Sequence, residues 1–153
     1  MDIDFTKELI CIEAEKVRKW AIKANDGSDN LTNWCTICSY LIFKKLDKVG
    51  LEPEFCSINI GVGSHCFVYC QGYIVDVTAT QFKVKTDIVI RKNQGKHKLY
   101  FWNLRSAYRM RSLERIENHL ESWADICHPK KRFQQKRIDR REAFERRIDS
   151  LCA

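Results

Sequence analysis

The sequence lacks any hydrophobic run long enough to cross a membrane. Its short apolar run from Tyr40 to Phe43 ends at Lys44, whereas a transmembrane helix needs about 20 apolar residues. The first residues also lack the Lys and Arg that open a secretory signal, and they carry Asp2 and Asp4 instead. These absences predict no membrane partner and no export by that route. We therefore expect a cytoplasmic protein.

Proline is scarce too, with only Pro53 and Pro129 in the chain. The eight cysteines lie mainly in apolar helix and strand patterns and not in the loop-rich segments of a disulfide-stapled domain. This distribution predicts free thiols in a reducing compartment. The 153 residues, of which 44% are hydrophobic and 31% charged, suit one soluble domain with a substantial core.

Two β-rich runs, 64–70 and 73–78, are separated by two residues that include Gly72, and this predicts a hairpin. With that turn length, His65 and Asp76 fall on one face of the sheet as diagonal neighbours. Diagonal neighbours lie roughly 7–8 Å apart at the backbone, within reach of a side-chain hydrogen bond. A buried aspartate needs such a partner. The pair is either a structural support of the hairpin or part of a catalytic site.

A helix is predicted to begin at Cys35, after a turn-rich segment at 25–30, and to end at Gly50. In the first turn of a helix, unpaired N–H groups and the helix dipole favour a thiolate and can hold an oxyanion. The order Cys35, His65, Asp76 suits a thiol nucleophile, its base and the residue that orients the base. Alternatively Cys35, like the other seven cysteines, is a small core residue.

Residues 31–46, with a cysteine, a serine four positions later and an amphipathic helix, resemble the nucleophile helix of the transglutaminase-like members of the papain-like cysteine enzymes. Residues 65–69 and 72–82 resemble the histidine and aspartate strands of that group, which often closes with an Asp-x-Thr-x-x-Gln-Phe run. The resemblance covers roughly residues 31 to 82, about a third of the chain. One departure is Trp34, which stands where a small residue is common.

The resemblance implies an α+β fold in which N-terminal helices, including the nucleophile helix, pack on a small antiparallel sheet followed by C-terminal helices. It also implies a catalytic triad of Cys35, His65 and Asp76 that attacks an amide or another acyl compound. The expected substrate is a protein or peptide, and the expected chemistry is that of a protease, a glutamine deamidase or a transglutaminase. No cofactor or metal is expected. The candidates for an additional oxyanion side chain are Asn30 and Asn33.

Two other interpretations use the same residues. Trp34, Cys35 and Cys38 form a Trp-Cys-x-x-Cys sequence like that of thioredoxin-type redox centres. A polar loop, however, precedes it where such a centre follows a hydrophobic strand. Zinc is the other candidate, with Cys35, Cys38, His65 and Cys66 as ligands, but His65 and Cys66 are adjacent in a strand and point to opposite faces.

Outside the motifs, spacing predicts an opening helix with Phe5, Leu9, Ile12, Val17 and Trp20 on its buried side. Further strands are expected over 84–90 and 97–102, with helix from Ser106 to a break at His128 and Pro129. We therefore divide the chain into a catalytic domain at 1–128 and a basic helix at 129–153 that docks on it.

The segment 130–149 carries nine basic and four acidic residues, a net +5 of the chain's formal +7. Such a segment can bind nucleic acid or an acidic protein through residues 130–147. The centre of this basic patch is Lys136, Arg137, Arg140 and Arg141. The alternative function is therefore a binding protein with an inactive triad, or a structural or inhibitory protein. The small size would also suit an effector or phage protein acting in a host cytoplasm.

Overall fold

The structure is a computed structural model of an α+β protein with a small antiparallel sheet. It divides into two compact units, residues 1–111 and residues 112–153. The predicted boundary at residue 128 lies outside the described residues and stays a prediction. The described residues are 3–61, 63–92, 100–127, 142–146 and 148–149.

The sheet has five antiparallel strands: β1 (Glu54–Asn59), β2 (Ser64–Cys70), β3 (Tyr73–Asp76), β4 (Val89–Lys92) and β5 (Tyr108–Met110). Their order across the sheet is β4-β3-β2-β1-β5. The central strand, β2, is flanked by its two sequence neighbours, so the middle of the sheet is a simple meander. The predicted class, α+β with a small antiparallel sheet, is confirmed at this level.

The hairpin between β2 and β3 has the predicted turn and register. Cys70 pairs with Tyr73, so the two residues between them form the whole loop. Gln71 and Gly72 both have positive φ, 51° and 84°. Two successive positive φ values define a type I′ turn, whose twist matches that of paired strands. The predicted placement of His65 and Asp76 on one face depends on this register, and it is confirmed.

The first unit opens with α1 (Ile3–Ala24), which packs against α2 (Cys35–Lys48) and β3. The predicted helix is present, but only part of its predicted buried side is buried: Val17 is 0% exposed, whereas Phe5 and Ile12 are 56% and 43% exposed. Small residues on the buried face let the helix lie close to its neighbours, which the larger side chains would prevent. The buried face consists of Ile10, Ala14, Val17 and Ala21, spaced by four, three and four residues.

The helix α2 begins and ends where the sequence predicts. At its end, Gly50 has φ of 79°, its N–H donates to Asp47 O, and the N–H of Leu51 donates to Leu46 O. These two bonds form a Schellman motif, which satisfies the last carbonyls of the helix. At its start, Trp34 occupies the N-cap position without a capping hydrogen bond from its side chain. The first residue inside the helix is Cys35.

Two predictions for residues after β4 are wrong. Tyr100–Trp102 is a short 3₁₀ helix and not part of a strand, while residues 97–99 lie outside the described part of the chain. Tyr108–Met110 is β5, paired with β1, and the helix predicted from Ser106 begins only at α3 (Leu113–Cys127). A tertiary interaction explains β5, because Arg109 and Arg111 both bind the buried carboxylate of Glu54 on β1.

The second unit contains α3, and residues 142–146 and 148–149 are also helical. In α3, the Ser112 side chain accepts a hydrogen bond from the N–H of Arg115, as an N-cap residue does. Among the described residues of both units, no helix combines the length and the apolar character that crossing a membrane requires.

Candidate active site

His65 on β2 and Asp76 at the end of β3 form a buried hydrogen-bonded pair. The His65 Nε2 atom lies 2.7 Å from Asp76 Oδ2, and the two residues are 1% and 2% exposed. The strand register brings them together, because it places both side chains on the same face of the hairpin. The structure thus places two of the three predicted catalytic residues in direct contact.

The Asp76 carboxylate accepts three further hydrogen bonds. Thr78 donates to Oδ1 through its backbone N–H at 2.8 Å and through its hydroxyl at 3.1 Å. Trp102 donates to Oδ2 through Nε1 at 2.9 Å. Burial alone would raise the pKa of Asp76, but the bonds from His65, Trp102 and Thr78 lower it below its ordinary value. Asp76 is therefore a buried carboxylate that stays ionised.

Aromatic rings surround the imidazole of His65. Phe82 meets it edge to face with centroids 4.8 Å apart, and Phe67 and Phe101 lie 6.1 Å away. Phe82 and Phe101 stack on each other at 4.4 Å. These rings keep water away from the hydrogen bond to Asp76, and electrostatic interactions are stronger where water is excluded.

Cys35 lies at the N-terminal end of α2, beside the beginning of β2. Its side chain is nearly buried, with 6% of the residue exposed. The sulfur is 4.0 Å from the backbone oxygen of Ser64, which directly precedes His65, and 4.0 Å from the hydroxyl of Thr36. The structure thus brings the third predicted residue to the strand that carries the histidine.

Cys35 and His65 influence each other's protonation. The Cys66 thiol, as a hydrogen-bond donor, and His65 together lower the pKa of Cys35 to about 4, although burial works in the opposite direction. Burial works against the charged imidazole, but the hydrogen bond to Asp76 and the negative charges of Asp76 and the Cys35 thiolate raise the pKa of His65 to about 9. Between these two values the sulfur is a thiolate and the ring an imidazolium.

The second ring nitrogen of His65 has a distinct position. Nδ1 is buried and has no hydrogen-bond partner of ordinary geometry among the described residues. Because Nε2 is occupied by Asp76, Nδ1 is the ring nitrogen left for another partner.

A buried arginine on α1 holds the backbone next to Asp76. The Nη1 atom of Arg18 donates to the backbone oxygens of Val77 and Asp87. Val77 directly follows Asp76, so Arg18 fixes the backbone that presents the carboxylate to His65. At 5% exposure, Arg18 is one of the few buried charged residues of the first unit.

The two candidate oxyanion side chains are both exposed, in the loop before α2. Asn30 is exposed and its Oδ1 accepts from the N–H and the hydroxyl of Thr32, so it shapes the loop before α2. Asn33 is also exposed, in a left-handed conformation with φ of 70°. Their role as oxyanion donors stays a prediction. The basic patch, Lys136, Arg137, Arg140 and Arg141, lies outside the described residues.

The two alternative interpretations find little support in the geometry. A loop and not a strand precedes Cys35, and burial raises the pKa of Cys38 far above its ordinary value. Within the described ranges, no group of three or more His, Cys, Asp or Glu side chains is arranged to hold a metal ion. This argues against the zinc site formed by Cys35, Cys38, His65 and Cys66.

Sequence reasoning missed three contributors to the site. The sequence predicts Trp102 in a strand, and nothing in its neighbourhood indicates a bond to a residue 26 positions earlier. It predicts Cys66 as a core residue or a zinc ligand and not as a neighbour of the nucleophile. Thr78 had a signal, because a threonine two residues after an aspartate often donates back to its carboxylate.

Comparisons of the chain with protein-family models, with curated proteins and with solved structures found no match. The interpretation of this site therefore depends on its own geometry.

Proposed function

We propose that this protein is a thiol-dependent hydrolase or acyl transferase in which Cys35 attacks an amide carbon, with His65 and Asp76 as its proton-handling pair. The observation that carries the proposal is the arrangement of three groups. A thiol of low pKa, Cys35, begins a helix beside the strand of a buried imidazole, His65, and that imidazole is bonded to the fully hydrogen-bonded carboxylate of Asp76. A fold of the papain-like and transglutaminase-like kind is part of the same proposal.

The proposed reaction begins from the thiolate and imidazolium. The Cys35 sulfur attacks the carbonyl carbon of the amide and forms a tetrahedral oxyanion. His65 then gives a proton to the departing amine, which leaves a thioester on the sulfur. Asp76 holds the ring orientation throughout, because its carboxylate is itself held by Thr78 and Trp102.

The second half of the proposed reaction restores the thiolate. Neutral His65 takes a proton from an incoming water or amine, which attacks the thioester and releases the acyl group. Water gives hydrolysis or deamidation, and an amine gives transfer. The backbone N–H groups in the first turn of α2 are the proposed oxyanion donors, since the N-cap side chain forms no capping hydrogen bond to them.

The substrate of choice for this chemistry is an amide in a protein or peptide. Because Cys35 and His65 are almost completely buried, the reacting group must enter as an extended or slender side chain. The carboxamide of glutamine, which extends from the backbone on two methylene groups, meets this requirement. We therefore favour glutamine deamidation or transfer over cleavage of a folded backbone.

The first experiment needs no knowledge of the natural substrate. p-Nitrophenyl acetate is a generic acyl donor, and its reaction with the protein is followed by release of nitrophenolate and by mass spectrometry. We expect a burst, an acetyl adduct on Cys35, and slow turnover. His65→Ala should lower the turnover by roughly 10²–10⁴, as loss of a general acid and base does. His119→Ala, on α3, is the matched control and should have no such effect.

A second measurement separates the reaction types. The protein is incubated with an unfolded glutamine-rich protein, with and without a primary amine, and ammonia release, amine incorporation and new N-termini are measured. Ammonia without new N-termini supports the glutamine specificity. Acetylation spread equally over the accessible thiols, or a turnover that survives Cys35→Ala, would reject the proposed function in favour of a binding protein.

A further inference from the structure

Cys66 is a second thiol at the site that the proposed reaction does not use. It follows His65 on β2, points to the opposite face and is 4% exposed. The Thr36 hydroxyl lies 3.6 Å from the Cys66 sulfur and 4.0 Å from the Cys35 sulfur, so one side chain contacts both thiols. Through its hydrogen bond, the Cys66 thiol is also the largest influence that lowers the pKa of Cys35.

We propose that Cys35 is a site of reversible peroxide oxidation and that Cys66 is its resolving thiol, so that the two residues form an intramolecular disulfide. This inference rests on the proposed function, because both take Cys35 as the reactive thiolate. It adds a form of regulation at the same site. The resulting disulfide would silence the nucleophile and protect it from irreversible oxidation.

The chemistry balances with a hydroperoxide as the only added reactant. The Cys35 thiolate attacks one peroxide oxygen, the O–O bond breaks, and the sulfur is oxidised to sulfenic acid while the peroxide is reduced. The departing oxygen takes the proton of the His65 imidazolium. The Cys66 sulfur then attacks the sulfenic sulfur, an S–S bond forms and the S–O bond breaks, and the Cys66 proton leaves with the hydroxyl as water.

Cys66 suits this role better than the other buried thiols of the described chain. The Thr36 hydroxyl lies against the sulfurs of both Cys66 and Cys35, whereas the charge of Cys35 raises the pKa of Cys38. Cys70, four residues along the same face of β2, donates to the Leu51 backbone oxygen instead. A resolving thiol must reach the oxidised sulfur before a second peroxide does, and Cys66 shares the Thr36 hydroxyl as a neighbour with Cys35.

The experiment is peroxide titration of the reduced protein, digestion without reductant, and mass mapping of cysteine peptides. We expect a peptide linking Cys35 to Cys66, lighter by two hydrogens, that disappears with dithiothreitol. In Cys66→Ser, whose hydroxyl keeps a hydrogen-bond donor at the same place, Cys35 should proceed to sulfinic acid that dithiothreitol cannot reverse. Cys70→Ser is the matched control and should behave as the wild type.

Two outcomes would overturn the inference: a Cys35–Cys38 link as the main product, or sulfinic acid accumulating as fast in the wild type as in Cys66→Ser. The linked peptide is measured in the unmodified chain, so the inference does not depend on the folding of a variant. It is also independent of acyl transfer. A Cys35–Cys66 link in a protein that does not turn over the ester would support this inference and reject the proposed function. Turnover of the ester without that link would support the proposed function and reject this inference.

Discussion

The pH dependence of Cys35 alkylation tests the electrostatics of the site most directly. With a pKa of about 4, Cys35 is almost entirely thiolate at pH 5. Cys11 on α1, whose pKa is raised by burial and by Glu15, is an internal reference in the same chain. An ordinary thiol with a pKa near 9 is ionised to about one part in 10⁴ at pH 5.

The difference in ionisation does not translate fully into rate. Nucleophilicity falls with pKa with a Brønsted slope of about 0.4–0.5, which costs a low-pKa thiolate roughly 10²–10^2.5 in intrinsic rate over five pKa units. At pH 5, Cys35 should therefore react with iodoacetamide roughly 30–100 times faster than an ordinary thiol, before any loss of access through burial. This advantage should shrink about tenfold per pH unit, because only the reference thiol gains thiolate.

The assay is competitive alkylation at pH 5 to 8, with adducts at Cys35 and Cys11 quantified by peptide mass spectrometry. Buried access lowers the absolute ratio but not its slope with pH, so the slope is the decisive quantity. His65→Gln should raise the pH at which Cys35 reaches its plateau rate, and His119→Gln should not. A Cys35 rate that rises tenfold per unit across this range, parallel to that of Cys11, would refute the thiolate–imidazolium assignment.

Three further perturbations follow from the same contacts. Asp76→Asn should lower the pKa of His65 from about 9 towards its ordinary value, seen in an NMR titration of the ring; an unchanged titration would contradict the pairing. Trp102→Phe removes one hydrogen bond to the Asp76 carboxylate and should lower the free energy of unfolding, measured in urea, by about 1.5–3 kcal/mol. Trp20→Phe is the control, and an equal loss in that variant would argue against the Trp102–Asp76 bond. Because folding lowers the pKa of Cys35, the ionised thiol stabilises the folded state, and this stabilisation is lost as the pH falls. The difference in free energy of unfolding between the wild type and Cys35→Ala should therefore shrink by up to about 1.4 kcal/mol per pH unit from pH 6.5 to 4. A constant difference would contradict the low pKa.

The part of the site that lies in the hairpin is predictable because strand geometry allows few choices. A two-residue turn and a period of two determine which residues share a face, so His65 and Asp76 can be paired without coordinates. The start of α2 is predictable for a similar reason, since a polar turn segment precedes it and Gly50 ends it. These local rules place all three proposed catalytic residues on definite elements.

Other features are decided by contacts between distant segments. The buried face of α1 uses alanines, which carry a weak hydrophobic signal, while larger Phe5 and Ile12 remain exposed. The strand β5 is three residues long and forms because β1 and its buried Glu54 are available to pair with it. Trp102 reaches Asp76 through a 3₁₀ turn whose position depends on the whole sheet. The last two choices are tertiary and leave no periodic pattern in the sequence.

The remaining alternative, a purely structural His–Asp pair, has a specific difficulty. A pair retained for stability would be expected to satisfy both ring nitrogens, because a buried unsatisfied nitrogen costs about 1–3 kcal/mol. His65 satisfies Nε2 with Asp76 and leaves Nδ1 without a hydrogen bond of ordinary geometry in the described part of the chain. The fold meanwhile satisfies the partner carboxylate fourfold and encloses the ring in aromatics. This asymmetry is costly for stability alone, and it suits the proposed reaction, in which His65 gives a proton to the departing amine and later takes one back.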